Sequence, residues 1–124
     1  MDITKVITDM KKEPGFSENV GMVLVHNGVV RSWSRQGHKT VTGIKVAVDE
    51  RKVEALRKEY SRKPGIYKIL IEYHSGELNL GDDLLFIVVA GDIRENVKPV
   101  LSELLDRVKA EAVTKSEITP PQSG

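Results

Sequence analysis

The stretch "LLFIVVA", residues 84–90, is a continuous apolar run rich in β-branched side chains. It is too short for a long helix and predicts a central strand of a sheet, which is buried on both faces. Behind it, Asp92 is placed to cap a long helix with an apolar stripe from Val97 to Val108. Pro99 lies inside that stripe and predicts a kink.

The segments on either side of this unit alternate between helical and extended patterns. Apolar residues at helical spacing predict helices over 1–15 behind Asp2 and over 50–63 behind Asp49, each followed by Pro-Gly. Dense β-branched and apolar residues predict strands over 20–30, 44–48 and 66–73, with a further short strand around Leu78 and extended structure after Ala112. Residues 32–43 are polar with two glycines and predict a mobile loop.

This order of helices and strands includes only some strand pairs with a helical crossover. It therefore predicts an α+β fold, a single-domain α/β sandwich with a mixed, mainly antiparallel sheet. The domain is expected to span 1–124, with an N-terminal helix over 1–15, a core over 16–118 and a flexible tail over 119–124.

The composition narrows the classes of function. The chain has 124 residues, no cysteine and a formal net charge of +1. The absence of cysteine excludes disulfides, thiolate metal sites and a cysteine nucleophile, and the near-zero charge gives no general attraction to nucleic acid or membrane. The first residues lack a signal-peptide core and no apolar run is long enough to span a bilayer, so a cytoplasmic protein is expected.

One segment departs from this balance. No acidic residue occurs between Glu18 and Asp49, whereas Arg31, Arg35, Lys39 and Lys45 all fall in that interval. Such a local excess of positive charge indicates either an anion site or a solvated basic loop.

Aromatic and histidine residues allow two further interpretations. Trp33 between Arg31 and Arg35 is compatible with base stacking, although one aromatic in a near-neutral chain argues against nucleic-acid binding. The three histidines, His26, His38 and His74, lack the close spacing of a zinc site, and no metal is expected.

Three more cations are candidates for binding an anion. Arg94 follows Asp92 in the first turn of the long helix, where backbone N–H groups also favour anions. Lys109 and Lys115 are six residues apart, which is about 240° around an α-helix, so a continuous helix would separate them. If the helix ends near Ala112, the chain can turn and bring both amines to one pocket. A buried, paired lysine has a lowered pKa that suits proton transfer or acyl chemistry.

Three motifs in the same order resemble the large subunit of molybdopterin synthase, the MoaE-like family. The family's strand pattern G-x-V-x-x-F-x-G-x-V-R resembles "GMVLVHNGVVR", residues 21–31. Its turn pattern H-R-x-G-x-L-x-x-G-D resembles "YHSGELNLGD", residues 73–82. Its last helix and following lysine signature resemble "IREN" at 93–96 and "RVKAEAVTKSE" at 107–117.

The resemblance implies a hammerhead-like fold, no cofactor and a sulfurtransferase of molybdenum cofactor biosynthesis. Members receive sulfur as a thiocarboxylate on the C-terminus of a ubiquitin-like small subunit and transfer it to cyclic pyranopterin monophosphate, forming the molybdopterin dithiolene. Carried over by position, Lys109 and Lys115 are the catalytic lysines, and Arg31 and Arg94 bind substrate. The anionic substrate also gives Arg35 and Lys39 a role in binding.

The resemblance further implies a homodimer of large subunits with one small subunit at each end. Arg94 and Lys109 are fifteen residues apart on one predicted helix, or about 22 Å at 1.5 Å per residue. Arg94 is therefore expected to reach the site of the other protomer.

This chain departs from the family pattern at several positions. His26 replaces the strand phenylalanine, and Tyr73-His74 replaces the His-Arg pair. The sequence "AVTKSE" replaces P-x-W-K-[KR]-E. The alternative function is therefore a non-catalytic relative that dimerises and binds a ubiquitin-like protein or an anionic ligand.

Overall fold

The computed structural model describes residues 1–35, 37 and 39–120 of the chain. Its helices are α1 (Ile3–Lys11), α2 (Phe16–Asn19), α3 (Glu50–Ser61) and α4 (Arg94–Glu111). Its strands are β1 (Met22–Val29), β2 (Gly43–Val48), β3 (Ile66–Tyr73), β4 (Gly76–Asn79), β5 (Asp83–Gly91) and β6 (Val113–Ile118).

The central strand is β5, which pairs antiparallel with β1 on one side and β3 on the other. Its side chains alternate between two cores, because successive residues of a strand point to opposite faces. Ile87 and Val89 pack with α3 and α4, and Val88 and Ala90 pack beneath the N-terminal segment. All four are completely buried, which confirms the prediction of a central strand for residues 84–90.

A second antiparallel sheet has the strand order β4-β2-β6. Ile44 and Val46 of β2 point into its core together with Val41 and Leu78. The α+β class with mainly antiparallel strands is confirmed, and the described strands form two three-stranded sheets. The expected short strand at Leu78 and the extended segment after Ala112 are β4 and β6.

The start of α4 differs by one residue from the expected cap. Ile93 occupies the N-cap position, and the carboxylate of Asp92 instead accepts hydrogen bonds from Ile93 N at 2.6 Å and from Asn96 Nδ2 at 2.9 Å. The helix continues past Pro99 to Glu111, and the kink at Pro99 stays a prediction.

Two other segments correct the sequence-based expectations. The short helix α2 follows Gly15 and was not anticipated. Residues 32–43, predicted as a mobile loop, are partly paired in the described residues, because Val41 N donates to Ser32 O and Ser34 N donates to Lys39 O, each at 2.9 Å. The polar composition of this segment gives no strand pattern from which the hairpin-like pairing could be predicted. Residues 121–124 of the expected tail lie outside the described residues.

A tight junction of backbone segments fixes the N-terminal end of α4. Gly65 has φ +79°, a left-handed conformation that favours glycine. A Cβ at this position would lie 2.4 Å from Asp92 Oδ1 and 2.5 Å from Asn96 Nδ2, the same groups that bond each other at the helix start. The turn before β3 therefore requires a residue without a side chain.

We expect Gly65→Ala to destabilise the fold by about 2 kcal/mol or more, because backbone strain adds to disruption of the Asp92–Asn96 pair. Gly81→Ala is the matched control: φ is +84° there, but a Cβ would meet nothing within 4 Å. Urea unfolding of both variants measures the difference. Equal losses would show that the contacts around Gly65 contribute nothing beyond the conformational cost.

Candidate functional site

A cavity of about 750 Å³ opens where the two sheets meet, beside the C-terminal end of α4. This volume is in the range of small-molecule sites. Its walls come from the β1–β2 connection, from β3 and β5 of the first sheet, from β2 and β6 of the second sheet, and from the last turn of α4. The residues that line it are Arg31, Ser34, Arg35, Gly37, Lys39, Val46, Val48, Tyr73, Leu84, Leu85, Lys109, Val113, Lys115 and Glu117.

The end of α4 brings the two lysines together. The helix closes at Ala112, whose N–H donates to Val108 O, and the chain continues directly as β6. Along β6 the alternation of side chains directs Val113, Lys115 and Glu117 toward the cavity. Lys115 lies opposite Val46 of β2. Lys109 and Lys115 therefore line one cavity, in the arrangement that follows if the helix ends near Ala112.

The charges around Lys109 perturb its protonation. Lys109 is exposed as a residue, yet the protein atoms around its amine partly desolvate it and lower its pKa. The positive charges of Lys115, Arg35 and Arg31 lower the pKa further, against a smaller opposing effect of Asp106. A lowered pKa favours the neutral amine at a lower pH than usual. The cavity therefore combines cations that attract an anion with one amine that gives up its proton more readily than an isolated lysine.

Arg31 is held in place by its neighbour Trp33. The Arg31 guanidinium stacks over the Trp33 ring at 4.4 Å from the centroid, and Arg31 Nε donates to Trp33 O at 2.9 Å. A stacked guanidinium with Nε already bonded directs its terminal nitrogens along a fixed axis. Trp33 thus packs against a guanidinium that lines the cavity, and the base-stacking role considered from the sequence is not tested by this contact.

The β1–β2 connection contributes the other expected cations. Arg35 and Lys39 both line the cavity, and the backbone between them is anchored by Ser34. Ser34 is buried, and its Oγ accepts a hydrogen bond from Lys39 N at 2.9 Å. The basic residues of the acid-free segment therefore line the cavity, except for Lys45, which is exposed and absent from its lining.

Two lining residues were missed by the sequence reasoning. Glu117 is the one carboxylate among the described lining residues, and its two-residue spacing from Lys115 on an extended segment could have revealed it. Tyr73 also lines the cavity, and burial together with the charge and hydrogen bond of Glu50 raises the pKa of Tyr73. Its phenol therefore keeps its proton and can donate a hydrogen bond.

Arg94 does not line this cavity. It lies at the other end of α4, beside a separate depression lined by Gly21, Met22, Asp92, Ile93 and Glu95. Its Nε is 3.3 Å from Glu95 Oε1, and its side chain is largely exposed. Within one chain the structure separates Arg94 from the other five predicted site residues.

The histidines do not form a metal centre in the described residues, where no group of three potential ligands converges. His74 Nδ1 contacts the backbone oxygen of Asp83 at 2.7 Å, and His38 lies outside the described residues. No helix in the described part of the chain is long and apolar enough to cross a membrane.

Solved structures that resemble this chain include molybdenum cofactor proteins. Molybdopterin synthase from Staphylococcus aureus matches with a TM-score of 0.71 and 22% identity, covering 83% of this chain and 77% of that one. Molybdopterin cofactor biosynthesis protein E from Burkholderia multivorans matches with a TM-score of 0.72 and 18% identity, covering 97% and 82%. A complex of subunits 1 and 2 of the molybdopterin-converting factor from Helicobacter pylori matches with a TM-score of 0.69 and 16% identity, covering 100% of this chain and 87% of that one.

The family model described as MoaE protein matches residues 1–111. The chain belongs to this family. Membership and fold together support a role in molybdenum cofactor biosynthesis. No curated protein matches the chain in a sequence search.

We expect Trp33→Ala to weaken the binding of inorganic phosphate about two- to fivefold, because Arg31 loses the ring on which it stacks. Trp33→Phe keeps an aromatic face and should lose less. Isothermal titration calorimetry at fixed ionic strength measures both, with Lys45→Ala as a control for net charge. Unchanged affinity in Trp33→Ala would show that the stacking does not organise Arg31 for an anion.

Proposed function

We propose that this chain is the large, catalytic subunit of a molybdopterin synthase. In this proposal it transfers sulfur from the thiocarboxylated C-terminus of a ubiquitin-like small subunit to cyclic pyranopterin monophosphate and thereby forms the molybdopterin dithiolene. The observation that carries the proposal is the convergence of Lys109, Lys115, Arg31, Arg35 and Lys39 on one cavity. Membership of the MoaE family supplies the substrate class.

The charges of the cavity suit both reactants. A pterin phosphate and a thiocarboxylate are both anions, and guanidinium and ammonium groups are the strongest hydrogen-bond donors for such groups. Arg31, Arg35 and Lys39 come from one connection and bind the substrate phosphate. The apolar residues Val46, Val48 and Leu84 also line the cavity and provide a surface for a planar ring.

The two lysines divide the chemistry. A tetrahedral centre at the thiocarboxyl carbon carries oxyanion charge, which an ammonium at Lys109 stabilises. The lowered pKa of Lys109 also allows it to give up a proton more readily than an isolated lysine. Lys115 relays protons between the cavity and solvent, because it is exposed yet lines the same space.

The partner subunit in the complex from Helicobacter pylori supports a small-subunit partner for this chain as well. The C-terminal tail of the proposed partner ends in an anion, which the cations of the cavity would attract. A ubiquitin-like partner that binds without product formation would favour the alternative function, a non-catalytic relative.

Reconstitution tests the proposed reaction. Purified chain, thiocarboxylated small subunit and cyclic pyranopterin monophosphate should yield molybdopterin, which is quantified after oxidation to its fluorescent derivative. We expect Lys109→Ala to lower the rate by about 10²-fold or more, because the developing oxyanion loses its closest ammonium. Lys45→Ala is the matched control, since Lys45 is exposed and does not line the cavity. Full activity in Lys109→Ala would refute the assigned role.

Arg94 is proposed to complete the site of a second protomer, since it lies at the opposite end of α4 from Lys109. Mixing Lys109→Ala and Arg94→Ala chains should then restore part of the activity. Each dimer that contains one chain of each kind has one site with both residues intact. Each variant alone should be impaired. An obligate monomer by sedimentation, or two inactive variants that fail to complement after subunit exchange, would contradict a composite site.

A further inference from the structure

A buried nitrogen without a partner lies close behind the cavity. His26 Nε2 is inaccessible to solvent and makes no hydrogen bond in the described residues. Burying an unpaired polar atom costs free energy, and such atoms are uncommon in native proteins.

The direction of the imidazole is given by the strand. Met22 and Leu24 of β1 pack against the core that includes α4, whereas Val23 and Val25 pack on the opposite face. By alternation, His26 points toward α4.

The ring also leans along the strand toward the cavity. A Cβ on Gly28 would lie 3.1 Å from His26 Nε2, so the ring tip is above Gly28. Gly28 pairs with Leu85, which is one of the cavity walls. The partnerless nitrogen therefore lies over the residue of β1 that pairs with a cavity-lining residue of β5.

Lys109 is the charged group that acts on this imidazole. Burial lowers the pKa of His26, and the positive charge of Lys109 lowers it further. Lys109 in turn is influenced by Lys115 on β6, by Arg31 and Arg35 on the β1–β2 connection and by Asp106 on its own helix. Among these groups, only Asp106 favours the ammonium form of Lys109, and a neutral His26 adds no opposing charge.

We propose that His26 is a positioning residue for Lys109: the neutral imidazole accepts a hydrogen bond at Nε2 from the Lys109 ammonium when that side chain turns inward. The proton of the neutral ring is then on Nδ1. This contact satisfies the buried nitrogen and holds the amine at the wall formed by Leu85. The inference deepens the proposed function and rests on it only for the catalytic role of Lys109.

A neutral acceptor is suited to this position. A carboxylate would pair with Lys109 permanently and raise its pKa, whereas a phenylalanine would leave the amine among like charges with no acceptor. The imidazole stabilises the ammonium with a dipole and without a full charge. It therefore partly offsets the desolvation of Lys109 while leaving the cavity positive for an anion.

The test measures protonation, so it does not depend on turnover. The pKa of Lys109 is obtained from competitive acylation with acetic anhydride over a pH series, read by mass spectrometry in the wild-type chain, His26→Phe and His26→Gln. We expect His26→Phe to lower the pKa of Lys109 by about one unit, because the ammonium loses an acceptor. His26→Gln should stay near wild type, because its amide oxygen accepts instead.

The outcomes separate the proposal from simple packing effects. Equal pKa values for Lys109 in all three proteins, or the same shift in both variants, would overturn it.

Nitrogen-15 NMR of the wild-type imidazole is an independent measurement that needs no His26 variant. A proton on Nδ1, with the pKa of His26 raised in Lys109→Met, supports the contact, and a proton on Nε2 in the neutral ring refutes it. Failed reconstitution with an intact His26 effect would refute the proposed function alone.

Discussion

Burial of both faces of β5 is the constraint on which the rest of the structure depends. A strand whose six residues from Leu85 to Ala90 are at most 3% exposed needs a neighbour on each edge and a layer on each face. Strands β1 and β3 cover its edges, α3 and α4 cover one face, and the N-terminal segment covers the other. The position of α4, and with it Lys109, follows from this packing.

The cavity forms where that layer ends. Strand β5 begins at Asp83, and Leu84 and Leu85 belong both to the sheet and to the cavity wall. The second sheet approaches at this point through β2 and β6, so the site spans both sheets. Gathering like charges there opposes stability, since Lys115, Arg35 and Arg31 each lower the pKa of Lys109. Sites with this kind of internal repulsion are common where function, and not folding, selects the residues.

The sequence predicted the parts of the fold that depend on local pattern. The apolar run of β5, the stripe of α4 and the extended residues after Ala112 have clear periodicities, and each forms the expected element. Pairing across the β1–β2 connection could not be predicted, because it is made by backbone hydrogen bonds and by the burial of Ser34, which leave no apolar pattern.

The candidate site divides in a similar way. Five of the six predicted site residues line one cavity. The convergence of the two lysines could be anticipated, because the β-branched residues after Ala112 indicate where α4 ends. Glu117 and Tyr73 were missed since their place follows from register and not from residue type. The unpaired nitrogen of His26 likewise depends on side-chain packing, which the sequence alone does not specify.

The cluster of cations also has a consequence at long range. Arg31, Arg35, Lys39, Lys109 and Lys115 face a single carboxylate, Glu117, among the described lining residues, yet the whole chain has a formal net charge of only +1. The remaining residues therefore carry a net negative formal charge, and the positive charge of the chain is concentrated at the cavity. A local excess of positive charge attracts an approaching anion to the cavity and accelerates encounters at low ionic strength. The near-zero net charge of the whole chain thus hides a strongly positive cavity.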